Sequence, residues 1–112
     1  MPLFDKRKNR RYPSVAKAQS SGVFSGDALL KDLSITGCCI ECTMCPEISA
    51  GEKYKMSIFP EENSGIGSFE LVVECKWIHT ADYSCEIGFD IVQSPRGKTF
   101  QRYVDYLSWR SA

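Results

Sequence analysis

Two short stretches hold residue types suited to gripping a flat, anionic ligand. The first reads Lys6-Arg7-Lys8-Asn9-Arg10-Arg11-Tyr12-Pro13. Arg7 and Arg11 stand four apart, so in a helical or an extended segment they point the same way. Two guanidinium forks on one side can hold phosphates, or the O6/N7 edge of guanine, in bidentate fashion. Their planes can also stack on bases. Lys6 and Arg10 supply extra positive charge for phosphates. The second stretch is Asp32-Leu33-Ser34-Ile35-Thr36-Gly37. In a strand extended to its end, Asp32 and Ser34 share a face. A carboxylate there can accept from the N1–H and N2–H of guanine, and a hydroxyl can donate or accept beside it. Gly37 lets the backbone turn sharply and a flat ring come close. Each stretch alone also has an ordinary explanation, a solvated basic tail or a polar turn closing a strand.

The cysteines are the other candidates. Cys38, Cys39, Cys42 and Cys45 spell C-C-x-x-C-x-x-C, a spacing similar to that of zinc or iron–sulfur sites. If 38–43 is a strand, Cys38, Ile40 and Cys42 face one way while Cys39 and Glu41 face the other, and a shared metal would require the strand to break. Cys38, Cys42, Cys75 and Cys85 fall on apolar parities and read as small core residues. No metal and no cofactor is therefore expected, and a metal or redox protein built on Cys38–Cys45 is kept as an alternative. His79 stands apart from any Ser, Cys or paired carboxylate and reads as a surface or capping residue. Glu61-Glu62, in a loop containing Pro and Gly, reads as solvated surface rather than an acid/base pair. There is no Gly-rich phosphate loop and no nucleophile motif, so an enzyme is not expected.

The elements that must position these residues come from the rest of the 112-residue chain, a length that fits one domain. With 43% hydrophobic and 25% charged residues the composition is that of an ordinary globular protein. No apolar run reaches the roughly 20 residues of a membrane span, and the first residues lack the apolar stretch of a secretory signal. A cytoplasmic protein is expected, with its cysteines as thiols. The net charge is zero, yet the segment up to Ala18 carries +5 and the remainder −5. A basic arm on an acidic body points to an anion met by the arm, and away from a uniformly basic binder of a nucleic-acid polymer.

Period-two alternation marks the strands. Phe69, Leu71, Val73, Cys75 and Trp77 share one parity; Cys85, Ile87, Phe89 and Ile91 form a second apolar line, and Tyr54, Met56 and Ile58 a third. Ser14–Ser20, Gly26–Leu33 and Cys38–Thr43 are weaker strands. About six short strands with no helix between them imply a closed or nearly closed antiparallel barrel. After Ser94-Pro95 the period changes, and Phe100, Tyr103, Val104 and Leu107 recur at helical spacing. This predicts one amphipathic helix of about three turns packed on the barrel. Tyr106 is expected to pack on a neighbouring loop, and Trp109 to offer aromatic surface to a partner.

In combination the motifs are more specific. R-x-x-x-R, an interval of roughly twenty residues, and then D-x-S-x-x-G at a strand end resemble the PilZ domain family, which binds the bacterial second messenger cyclic di-GMP. Gly51 before the Tyr54/Met56/Ile58 strand, the V-x-W-like Val73–Ile78 with Trp77, the strand Tyr83–Ile91 with Gly88-Phe89, and the C-terminal helix are also similar to that family. The cysteine-rich segment after Gly37 is unusual for it. The resemblance implies an all-β-dominated fold, a six-stranded antiparallel barrel with a C-terminal α-helix. A basic arm (residues 1–13) would close over a ligand held on residues 14–112. It assigns ligand binding to Arg7, Arg11, Asp32, Ser34 and Gly37, with Lys6 and Arg10 as further phosphate contacts. It also implies a sensor whose arm orders on cyclic di-GMP and which acts, as monomer or dimer, on an unidentified effector protein. Motility, exopolysaccharide or adhesion would be the output. A PilZ-like interaction module without nucleotide binding and a nucleic-acid binder using the arm are the competing readings.

Overall fold

A computed structural model describes residues 10–21, 23–43, 46–95 and 97–111, with no account of the side chains of residues 25–27. Lys6, Arg7 and Cys45 lie outside the described residues. Among the described residues there are seven strands, β1 (Tyr12–Pro13), β2 (Lys17–Ser20), β3 (Phe24–Leu33), β4 (Gly37–Cys42), β5 (Lys53–Phe59), β6 (Phe69–Thr80) and β7 (Cys85–Gln93), followed by helix α1 (Thr99–Arg110). A single 3-10 turn, Glu62–Ser64, sits between β5 and β6.

β1 and β2 are two pieces of one strand. Both pair with β3, through Tyr12 opposite Leu33, Pro13 opposite Asp32 and Lys17 opposite Leu29. Between them the Ser14 N–H donates to the Lys31 carbonyl (3.0 Å) and the Leu30 N–H to the Ala16 carbonyl (2.8 Å). Proline cannot donate to a ladder, which is tolerable where the pairing is interrupted. With that pair counted once, the structure is a closed six-stranded antiparallel barrel with one C-terminal helix. Each strand pairs with the next in the order β2-β5-β6-β7-β4-β3, and β3 returns to β2. Pairing begins at Tyr12, two residues earlier than the strand expected from Ser14.

Alternation explains the inside. Met56 and Ile58 on β5, Leu71 and Val73 on β6, Ile87 and Phe89 on β7, and Leu30, Leu33 and Ile40 on β3 and β4 fill the barrel. At one end the apolar stripe of α1, Phe100, Tyr103, Val104 and Leu107, joins the same core. Phe69 meets Phe100 and Tyr103 there with ring centroids 5.7 and 5.9 Å apart. Gly51 takes a positive φ of 91° and donates to the Cys75 carbonyl (2.7 Å), a bond that starts the β5–β6 pairing.

One expectation is corrected. Trp77 does not continue the inward line of Cys75. The β6–β7 register shifts between Cys75 and Trp77, a bulge that turns the indole outward and brings Ile78 against the core opposite Ile87. Tyr106 is stacked on Tyr103 of its own helix (6.0 Å, 15°) with the Arg110 guanidinium 5.6 Å from its ring centre. Trp109, 75% exposed, remains on the surface as expected.

Leu30 is wholly enclosed on the strand that closes the barrel. Leu30→Ala should therefore cost about 2–5 kcal/mol, read as a lower denaturant midpoint with an unchanged slope.

Candidate functional site

The site begins at the β3–β4 turn. Ser34 is 1% exposed, and its hydroxyl oxygen accepts from the N–H of Thr36 (3.2 Å) and of Gly37 (3.1 Å), while the Ser34 N–H donates to the Gly37 carbonyl (2.9 Å). Serine suits this place because a short hydroxyl can close a turn on its own backbone. Ser34 thus holds the turn, and Asp32 presents the polar group. Asp32 Oδ1 accepts from Arg11 Nη1 at 3.2 Å, with both side chains about a quarter to a third exposed.

Gly37 explains how Arg11 gets there. A methyl group on Gly37 would stand 2.9 Å from the Phe89 carbonyl oxygen and 3.0 Å from Arg11 Nη2. Glycine leaves the space in which the guanidinium lies against β4. Of the sequence-derived site residues, the structure therefore brings Arg11, Asp32, Ser34 and Gly37 together. Arg10 is exposed. With Tyr12 and Ile35 on one side and Gln101, Val104, Asp105 and Ser108 of α1 on the other, it lines a cleft of about 330 Å³.

Register extends the site across the outer wall. Asp32 is opposite Cys39, Cys39 opposite Gly88, and Gly88 opposite Trp77. The indole of Trp77, 42% exposed, lies over Gly88: a methyl group there would come within 2.2 Å of its Cε2 and Nε1. An aromatic surface therefore sits about two strand spacings, ~10 Å, from Asp32, with only the small Cys39 between. Parity reasoning missed Trp77 because it assigned the residue to the core. The pairing of a large aromatic with a glycine on the neighbouring strand was the available signal.

The rim of this platform is acidic. Gly37 pairs with Asp90 and Asp90 with Glu74 on one side; Glu41 pairs with Glu86 and Glu86 with His79 on the other. Lys76 bonds Glu74 (3.3 Å) and reaches Asp90 (3.5 Å), and Lys31 bonds Glu86. These contacts raise the pKa of both lysines, chiefly through the hydrogen bonds to Glu74 and Glu86 respectively.

The described cysteines, Cys38, Cys39, Cys42, Cys75 and Cys85, are all buried. Burial pushes the Cys38 thiol up to about 12, and burial followed by the nearby Asp32 carboxylate pushes Cys39 up to about 11. No three His, Cys, Asp or Glu side chains converge to hold a metal among the described residues. Glu61 overturns its reading as solvated surface: it accepts from Tyr103 (2.7 Å) and Arg110 (2.5 Å) and is only 13% exposed at its side chain. Nothing local in the sequence announces these partners, which lie over forty residues away.

The sequence matches the PilZ domain over residues 5–108. The chain belongs to the PilZ domain family, a family of cyclic di-GMP receptors. No curated protein matches the sequence. Among solved structures, the Bacillus subtilis inhibitor of motility MotI/DgrA is similar in fold, with a TM-score of 0.73 at 17% identity. The likeness covers 96% of this chain and 51% of that one, so the chain spans about half the length of that protein. Among the described residues no helix is long and apolar enough to cross a membrane.

With their pKa values raised, Cys38 and Cys39 hold little of the thiolate that reacts with alkylating agents. At pH 8 iodoacetamide should leave both unmodified in the folded protein and label both in denaturant, as read by peptide mass spectrometry.

Proposed function

We propose that this chain is a receptor for cyclic di-GMP that reads the dinucleotide on the outer wall of the barrel and passes the signal to a protein partner in the cytoplasm. The observation that carries the reading is the placement of Arg11 over Gly37, beside Asp32 and in line with Trp77. A guanidinium supplies phosphate or guanine O6/N7 recognition, a carboxylate accepts from the guanine N1–H and N2–H, and an indole face takes a purine by stacking. Ser34 contributes by fixing the turn that holds Asp32 and Gly37.

Charge supports the same assignment. The ligand brings two phosphates, and the lysines beside the platform are already engaged with Glu86, Glu74 and Asp90. Positive charge for the phosphates then comes from the arm, from Arg11 and Arg10 together with Lys6 and Arg7. Charge-assisted hydrogen bonds contribute roughly 1.5–3 kcal/mol each, against the entropy of ordering the arm. An arm that orders on binding makes a sensor. Motility, exopolysaccharide or adhesion control is the output we assign, and the solved fold relative is itself an inhibitor of motility.

Isothermal titration with cyclic di-GMP, cyclic di-AMP and GTP tests the reading. Binding of cyclic di-GMP alone is expected, weakened about tenfold or more by Arg11→Ala, Asp32→Ala or Trp77→Ala, in keeping with one charged hydrogen bond or one stacked base. Equal binding by all three variants would remove the site assignment. Silence of the parent protein towards cyclic di-GMP would favour a PilZ-like interaction module. Steeply salt-dependent binding to any oligonucleotide would favour a nucleic-acid binder.

Gly37→Ala provides a separate check. The added methyl meets the Phe89 carbonyl oxygen as well as Arg11, so affinity for cyclic di-GMP should fall along with some stability, the folded fraction at the titration temperature being checked by far-UV circular dichroism. Full affinity in that variant would show that the close approach of Arg11 to β4 is dispensable.

A further inference from the structure

Away from the platform, a continuous hydrogen-bonded chain joins the last turn of α1 to the start of the barrel. Arg110 donates from Nη1 to Glu61 Oε2 (2.5 Å) and from Nη2 to the Pro13 carbonyl (2.9 Å). The Tyr103 hydroxyl donates to Glu61 Oε1 (2.7 Å). With its one proton given to Glu61, the Tyr103 oxygen accepts from the Ser14 hydroxyl at 2.8 Å. The Ser14 oxygen in turn accepts from the Ala16 N–H (3.0 Å). Tyr103 is fully buried, so its hydroxyl needs these partners. Glu61, nearly enclosed, has its charge met by Arg110.

The place of the grip matters. Pro13 lies opposite Asp32, two residues after Arg11. Few free dihedrals separate the Pro13 carbonyl from Arg11 and Arg10, so a guanidinium holding that carbonyl also sets the direction in which the arm leaves the barrel. We propose that Arg110, oriented by Glu61 and Tyr103, is a positioning residue for ligand capture: it clasps the arm at Pro13 so that Arg10 and Arg11 are presented to the anion, and it links site occupancy to the seat of the last turn of α1. The link to ligand rests on the receptor reading above; the clasp itself does not. Linkage is reciprocal, so whatever the last turn contributes to affinity, the ligand returns as stabilisation of that turn. Trp109, adjacent to Arg110 and exposed, places that change on the surface.

Amide hydrogen exchange on the full chain, with and without cyclic di-GMP, tests both parts. The reporter for the clasp is the Ser14 amide, which donates to the Lys31 carbonyl (3.0 Å). In the absence of ligand, Arg110→Ala should speed Ser14 exchange about tenfold, as expected for loss of a charge-assisted hydrogen bond, while amides in the β6–β7 pairing exchange as in the parent. Tyr103→Phe, which keeps the ring in place and removes only the hydroxyl, should also speed Ser14. Arg110→Lys keeps the charge without the planar fork and should restore only part of the protection. With saturating cyclic di-GMP, the last-turn amides of α1 should slow in the parent and not in Arg110→Ala, whose affinity should be lower by a similar factor. Unchanged Ser14 exchange in Arg110→Ala and Tyr103→Phe overturns the clasp, whether or not ligand binds. Faster Ser14 exchange with parental affinity overturns the positioning role and leaves the receptor reading intact. A parent that ignores cyclic di-GMP overturns the receptor reading and the coupling to ligand together, while the Ser14 rates still decide whether the clasp exists.

Discussion

The buried hydroxyl of Ser34 is the constraint from which the site follows. A polar atom enclosed in this way is stable only if it is bonded, and its partners are the N–H groups of the turn it belongs to. That local solution starts β4 at Gly37 and sets the β3–β4 register beside the turn, with Leu33 opposite Cys38. The same pairing closes the barrel, since β3 is the strand shared by the β4 and β2 sides. Closure removes the sheet edges that an open structure would leave to associate. Asp32 faces outward at the seam, so the residue proposed to read guanine sits where the backbone is tied on both flanks.

The electrostatic design divides labour between body and arm. On the body, carboxylates on β4, β6 and β7 outnumber the lysines beside them, and those lysines are occupied. A doubly anionic ligand approaching the bare barrel would meet a repulsive rim. In the proposed receptor the attraction comes from the segment before β1, whose charge is opposite. On that proposal, placing it on an arm rather than on a strand would make charge compensation and chain ordering the same event, which suits a switch better than a permanently assembled pocket.

Much of this was legible in the residues. β5, β6 and β7 alternate because each has one face in the barrel and one in water, and the stripe of α1 follows from its spacing. The two motifs gave Asp32, Ser34, Gly37 and Arg11 by type and order. What could not be read depends on pairing rather than on pattern. The bulge before Trp77 is a property of β6 and β7 together, and it reverses the face of every residue beyond it. The break between β1 and β2 is bridged by bonds to β3 that no local signal encodes. Glu61 resembles any loop carboxylate until the fold brings Tyr103 and Arg110 to it.

The run of cysteines has a volumetric explanation in the same register. Inside a barrel of six strands there is room for a large side chain only where its neighbours are small. Phe89 is such a side chain, and the residues opposite it on β4 and β6 are Cys38 and Cys75. Cys42 and Cys85 form a further inward pair along β4 and β7, beyond Ile40 and Ile87. Cys39 has the opposite orientation and a different neighbourhood: it lies between Asp32 and Gly88 on the outer wall, where a longer side chain would stand between the carboxylate and the indole. One residue type thus meets two demands on a single strand, yielding space inward to an aromatic ring and outward to whatever lies between Asp32 and Trp77. The adjacent Cys38 and Cys39 arise because alternation sends them to opposite faces, and both faces need something small.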